Sequence, residues 1–268
     1  MLESPVLEAC LALLFGLLIG SFLNVCVYRL PLDLSVVRPR SYCPACSHPI
    51  AWFDNVPLLS YALLRGRCRY CKASIPVRYP IVELLTGILF FVFVWRLGLS
   101  LPALKFCLLS ALLVGLTFSD LEARILPDEF TLGGVAAGLA LAWFVPLERN
   151  YAPLLLWFAG VSGNPRWDSL VEALLGAVVP AVLLWLGGWL YFKLRHREGL
   201  GLGDVKLVAM VGAFLGLHGA LLMLIAGSLA GSLLGYAYIR FTRKDPSTYE
   251  LPFGTFLGLA GIAVALTL

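Results

Sequence analysis

Two aspartates and four cysteines carry the chemistry legible in this sequence. Asp120 closes an apolar run in TFSDLEARILPDEFT, and Asp204 opens another in GLGLGDVKL. Acidic side chains inside apolar segments are expensive and point to function by default. Two carboxylates held together in a low-dielectric site do not both ionise easily, so one keeps a proton and the other becomes a base. Such a pair can activate water and protonate a carbonyl oxygen, the chemistry of an aspartic dyad. Cys43 and Cys46 (CPAC) and Cys68 and Cys71 (CRYC) form two Cys-x-x-Cys knuckles with 21 residues between them. Two such knuckles can close a four-thiolate zinc site, although the separation is just beyond the usual zinc-ribbon window; the alternative is a redox dithiol pair, for which neither knuckle has a thioredoxin-like strand–helix context. A closed site has no open coordination position, so the metal is expected to fold its loop rather than to react. Arg65, Arg67, Arg69 and Lys72 flank the second knuckle and are expected to favour thiolate over thiol there. Cys10, Cys26 and Cys107 fall within apolar runs and read as small apolar residues.

The elements that must position these groups are membrane spans. Of 268 residues, 60% are hydrophobic and 13% charged, and the mean hydropathy is +0.89. A soluble protein of this size has nowhere to hide so much apolar surface. Disordered chains and disulfide scaffolds are excluded by the same composition. The expected fold is an all-α polytopic membrane protein of about eight transmembrane helices with a small zinc-knuckle loop domain. The runs long enough for a span are Val6–Tyr28, Pro80–Leu97, Leu101–Phe118, Phe130–Val145, Leu170–Leu194, Val205–Leu217, Ala220–Ile239 and Leu251–Leu268. Ser169 and Glu172 read as a capping box opening the fifth. His218–Gly219 reads as the turn between the sixth and seventh. Tyr151–Val161 is apolar but short, and is expected to lie in the interface. The N-terminus carries Glu3 and Glu8 and no basic residue before Arg29, so the first run reads as a retained span rather than a cleaved signal. Glycines at four-residue spacing, such as Gly16/Gly20 and Gly212/Gly216, read as close helix packing.

Alternating the eight spans places sixteen of the twenty Lys and Arg on one side. By the positive-inside rule that side is cytoplasmic, with both termini outside. The expected domains are a first helix over 1–28, a cytoplasmic four-cysteine loop over 29–79 and a membrane domain over 80–268. Both aspartates then face the cytoplasm. Counting from the outer ends of their helices puts each about 21–22 Å from the outer face, roughly 8–9 Å below the inner edge of the hydrocarbon core and at similar depth. Helix-end charge assigns Asp204 the part of base and Asp120 that of acid. Gly201 and Gly203 lack the spacing of a phosphate loop and are expected to let extended backbone approach a substrate or a facing helix. Lys206 is expected to balance local negative charge or to snorkel to the interface. Glu122, Asp128 and Glu129 form an acidic group beside Asp120. A proton-coupled transporter and a zinc-loop scaffold are the competing readings. No convincing internal repeat favours the first, and the second would leave the aspartates dispensable.

GLGLGDVK with an upstream span-ending aspartate resembles the GxGD class of intramembrane aspartic proteases. More narrowly, the chain resembles the type IV prepilin peptidases (prepilin leader peptidase/N-methyltransferase). GSFLNVCVYRLP, the two knuckles, RYPIVELLTG, FSDLEARILPDEFT, EGLGLGDVKL and PFGTFLGLAG follow in family order over nearly the whole chain. The resemblance implies cleavage of a prepilin or pseudopilin leader on the cytoplasmic side of the bacterial inner membrane. It also implies methylation of the new N-terminus with S-adenosylmethionine. It assigns the catalytic parts to Asp120 and Asp204 and the metal to Cys43, Cys46, Cys68 and Cys71. Arg78 and Glu83 are candidates for the methyl-transfer region by family position alone. No nucleic-acid partner is expected.

Overall fold

The computed structural model describes residues 4–147, 151–152, 156, 164–196, 199–242 and 251–268. Apolar runs become helices because only internal backbone hydrogen bonding satisfies the chain in lipid. The helices are α1 (Ser4–Arg29), α2 (Leu59–Leu63), α3 (Arg78–Leu97), α4 (Leu101–Ala123), α5 (Asp128–Phe144), α6 (Pro165–Arg195), α7 (Leu202–Thr242) and α8 (Phe253–Thr267). Among the described residues, β structure is limited to two isolated bridges. Five helices, α1, α3, α4, α6 and α7, are long and apolar enough to cross a membrane, and α8 is a shorter apolar helix. The protein is a multi-pass helical membrane protein. It forms two compact units, Met1–Phe118 and Ser119–Leu268.

In the first unit α1 packs antiparallel on α3. A Cβ at Gly20 would stand 2.6 Å from Glu83 Cα, and one at Gly16 would stand 2.9 Å from Gly87 Cα. The missing side chains are what let the two backbones touch. One turn beyond Gly20 on the same face, Asn24 Nδ2 donates to Tyr79 O at 3.0 Å, tying the end of α1 to the start of α3. The opposite face of α1 exposes Leu7, Leu11, Leu14, Leu18 and Phe22, as a lipid-facing surface does.

In the second unit α5, α6, α7 and α8 pack together. Gly176 of α6 and Gly212 of α7 meet backbone to backbone. The sixth and seventh expected spans fall on one helical run, α7, of 41 residues. A straight helix of that length would be about 62 Å long, twice the hydrocarbon core. The run breaks at Gly216 (φ 72, ψ −174), a conformation that glycine adopts without strain. The break lies two residues before the expected turn. Gly203 packs on Leu126 and Gly216 on Leu147, so the first half of α7 runs alongside α5. Gly227 meets Leu257 and Gly235 meets Leu251, so the second half runs antiparallel to α8. Gly254, near the start of α8, also packs on Leu126, so the second half returns to the level of Gly203. The two halves therefore make two passes.

The expected capping box at Ser169 and Glu172 is corrected. Helix α6 begins earlier, at Pro165, and its cap is Asn164, whose side chain accepts from Arg166 N. Asn followed by Pro is the stronger start signal. Ser169 and Glu172 lie inside the helix and serve neighbouring segments. Ser169 Oγ donates to Ala142 O at 2.7 Å and accepts from Leu147 N at 3.1 Å. Glu172 is fully buried. Its Oε2 accepts from Tyr151 N at 2.7 Å and Ala152 N at 3.1 Å, and its Oε1 from Leu217 N at 3.0 Å. Leu217 N–H is the donor orphaned by the break at Gly216, so one carboxylate caps the second half of α7 and holds the 151–152 segment. The remainder of the Tyr151–Val161 stretch, apart from residue 156, lies outside the described residues.

Candidate active site and metal centre

The four cysteines come together. The Sγ atoms of Cys43, Cys46, Cys68 and Cys71 all lie within 4.8 Å of one another, and Cys43 Sγ and Cys71 Sγ are 3.8 Å apart. A tetrahedron with metal–sulfur bonds of about 2.3 Å has edges of about 3.8 Å, so the donor set fits a metal ion. Each knuckle is built by the same backbone pattern. Cys43 N donates to His48 O, Ser47 N to Cys43 O and Ile50 N to Ser41 O. In the second knuckle Cys68 N donates to Ala73 O, Lys72 N to Cys68 O and Ile75 N to Gly66 O. Ser47 (φ 56) and Lys72 (φ 60) both turn left-handed, four residues after the first cysteine. The tight turn points both thiols of a knuckle to one side. The His48 and Tyr70 rings, with centroids 3.6 Å apart, pack the two knuckles together.

Arg69 plays a different part from the one expected. The Cys68 thiol is lowered to about 6 by the backbone N–H groups of Cys71 and Tyr70 that bond to it, not by neighbouring guanidinium groups. Arg69 turns away to Asp54, which it grips with Nε at 2.7 Å and Nη2 at 2.6 Å, and it lies over the Phe53 ring. That hydrogen-bonded guanidinium holds the Asp54 carboxyl below the usual carboxylate range. Glu83 is buried in α3, and its Oε2 accepts from Leu58 N at 2.8 Å, anchoring the loop to the helix. Arg78 stacks over the Tyr79 ring at 4.7 Å.

Asp120 and Asp204 also converge, within the second unit. Asp120 lies in the last turn of α4 and is 6% exposed. Ser119 Oγ donates to Ile125 O at 2.7 Å, folding the chain back after the helix. That fold presents Leu126 to two glycines at once. A Cβ at Gly203 would stand 3.1 Å from Leu126 Cβ, and one at Gly254 would stand 3.0 Å from Leu126 Cδ1 and 3.0 Å from Asp120 Cγ. Asp204 follows Gly203 in the first turn of α7 and is half-buried. The two aspartates lie close enough for their charges to act on one another.

The supporting residues divide. Gly203 admits Leu126. At Gly201 a Cβ would make only ordinary contact, 3.6 Å from Asp204 Oδ2. Lys206 Nζ binds Asp128 Oδ1 at 2.7 Å and Oδ2 at 2.9 Å, pinning the start of α7 to the start of α5. Asp128 is thus engaged within the fold. Sequence reasoning missed Thr255. Its backbone N and its Oγ1 donate to Asp120 Oδ2 at 2.6 and 2.8 Å. Only the family-ordered motif PFGTFLGLAG marked that stretch, and a contact across 135 residues leaves no local spacing to read.

Fold and site define a polytopic helical membrane protein with two acids gathered at helix ends in one unit and a four-cysteine knuckle loop in the other. Residues 14–97 match the bacterial peptidase A24 N-terminal domain, and residues 107–236 match the type IV leader peptidase family. The chain is 42% identical over 243 residues to the prepilin leader peptidase/N-methyltransferase of Myxococcus xanthus, covering 90% of this chain and 67% of that protein. To the protein of the same name in Aeromonas salmonicida it is 36% identical over 282 residues, covering 96% and 90%. For that of Pseudomonas putida the figures are 37% over 279 residues, 96% and 90%. No solved structure matches the chain. The chain belongs to the type IV leader peptidase family.

Proposed function

We propose that this protein is a membrane-embedded aspartic endopeptidase that removes the leader from type IV prepilins or pseudopilins and then methylates the new N-terminus. The observation that supports it most is the meeting of Asp120 and Asp204 around Leu126, at the ends of two helices. In this reading one carboxylate takes a proton from water and the other, protonated, donates to the scissile carbonyl oxygen. The water oxygen bonds to the carbonyl carbon, the C–N bond breaks, and the amine leaves with a proton. No covalent enzyme intermediate is formed. The substrate's apolar helix docks among the spans, and its basic leader stays on the side rich in Lys and Arg, near Glu122 and Glu129. By the distribution of basic residues that side is the cytoplasmic face of the inner membrane, and both termini lie outside.

The metal is zinc in this reading, held by Cys43, Cys46, Cys68 and Cys71. It supplies structure to the loop, and the chemistry of cleavage belongs to the aspartates. The methyl donor is S-adenosylmethionine, as the relatives' name implies. Among the described residues no side-chain set is assigned to it, and no step is drawn through it. Purified protein is expected to carry about one zinc per chain by elemental analysis, and Cys43→Ser or Cys71→Ser protein much less. Chelation is expected to open the 41–75 segment to limited proteolysis, because the loop has little core without its metal. Wild-type protein without stoichiometric metal contradicts the zinc assignment.

The function is tested by incubating the protein in liposomes with a prepilin and S-adenosylmethionine and weighing the product. A pilin shortened by its leader and heavier by one methyl group is expected. An unchanged prepilin contradicts the peptidase reading, and a cut but unmethylated product contradicts the second activity.

A further inference from the structure

The first turn of α8, in PFGTFLGLAG, reaches the aspartate pair although its sequence offers no acid or base. Asp120 and Thr255 are both buried, 6% and 7% exposed. Thr255 gives Asp120 Oδ2 two donors, one from the backbone and one from the hydroxyl. The backbone N–H is available because the first N–H groups of a helix have no partner within it. Gly254 is shaped to the same purpose, since any Cβ there would press on Asp120 Cγ. Hydrogen bonds to a carboxylate are roughly twice as strong as neutral ones. A single donor leaves a carboxylate free to turn about its Cβ–Cγ bond, whereas two donors arriving at one oxygen from different directions fix its plane.

We propose that Thr255 is a positioning residue for the reaction, its hydroxyl setting the rotation of the Asp120 carboxylate against Asp204. The inference rests on the peptidase reading above. It names a residue outside both aspartate motifs and gives the last helix a part in the chemistry. Thr255 touches Asp120 and acts through it. Its backbone donor survives any substitution but proline, so loss of the hydroxyl loosens the carboxylate without releasing it. A reacting group misplaced by about 1 Å costs on the order of 10²-fold in rate.

Wild type, Thr255→Val and Thr255→Ser are compared in the same liposomes for kcat and KM of leader cleavage, with thermal midpoints alongside. Valine keeps the shape and removes the donor. Serine keeps the donor and removes a methyl group. The valine protein is expected to lose about 10- to 100-fold in kcat with KM within about twofold. The serine protein is expected to stay within about threefold of wild type. If the valine protein does not assemble, Thr255→Ala against Thr255→Ser carries the same comparison. Wild-type kcat without the hydroxyl overturns the proposal. So does equal loss in the serine protein, which would make the methyl packing and not the hydrogen bond responsible. A wild-type protein that leaves prepilin intact overturns the peptidase reading and this inference with it.

Discussion

Glu172→Leu will destabilise the protein more than any other single change at a buried polar residue that is neither an aspartate of the pair nor a metal ligand. Three backbone N–H groups, of Tyr151, Ala152 and Leu217, end on this one carboxylate. Leucine fills a similar volume but accepts nothing. One of these bonds is buried and two are part-buried; a buried donor left unpaired costs about 1–3 kcal/mol, so the total is about 3 kcal/mol. For a chain of this size that lowers the thermal midpoint by roughly 6–12 °C. Glu172→Gln is expected to fall between, because its amide keeps one acceptor and turns an NH2 group toward N–H donors. The readout is thermal unfolding of purified protein in detergent. A Glu172→Leu midpoint within about 1 °C of wild type would show that the break at Gly216 is held by packing alone.

Glu172 also shows what the sequence does and does not disclose. Its helix was legible, because a long apolar run in a membrane chain has little choice but to coil. All eight apolar runs fall on helices, and the turn expected at His218–Gly219 appears two residues earlier, at Gly216. The partners of Glu172 were not legible. Ser169 and Glu172 have capping-box spacing, and only the earlier Asn164–Pro165 start shows that the spacing serves other segments. The knuckles were readable because their chemistry is local: two cysteines three positions apart on one turn can ligate one metal ion. The identity of what lowers the Cys68 thiol was not, since backbone N–H groups do not register in composition as arginines do. Asp120 and Asp204 stood out through the cost of an acid in an apolar run. Thr255 did not, because a threonine in an apolar helix is ordinary until its distant partner is known.

Asparagine in place of Asp120 or Asp204 will produce the largest functional loss. It preserves size and shape but can neither take a proton from water nor deliver one to a carbonyl at neutral pH. General acid–base catalysis by a positioned group contributes about 10²–10⁴-fold, and each aspartate is needed for one half of the exchange. Cleavage is therefore expected to fall by about 10³-fold or more in either variant. The double variant is expected to be little worse than either single one, because groups that act as a unit are not additive. The fold should survive. At position 120 the amide oxygen still accepts from Thr255, and at 204 the half-buried side chain meets little packing cost. A transporter or a zinc scaffold would show no such loss of hydrolysis.

The most direct measurement gives each asparagine variant two substrates in liposomes with S-adenosylmethionine: an intact prepilin, and the same pilin already lacking its leader. Mass spectrometry reads both products. The prepilin is predicted to remain uncut with either variant, while the leaderless pilin gains its methyl group as it does with wild type. Removal of the leader by either variant at the wild-type rate would contradict an aspartic pair at Asp120 and Asp204.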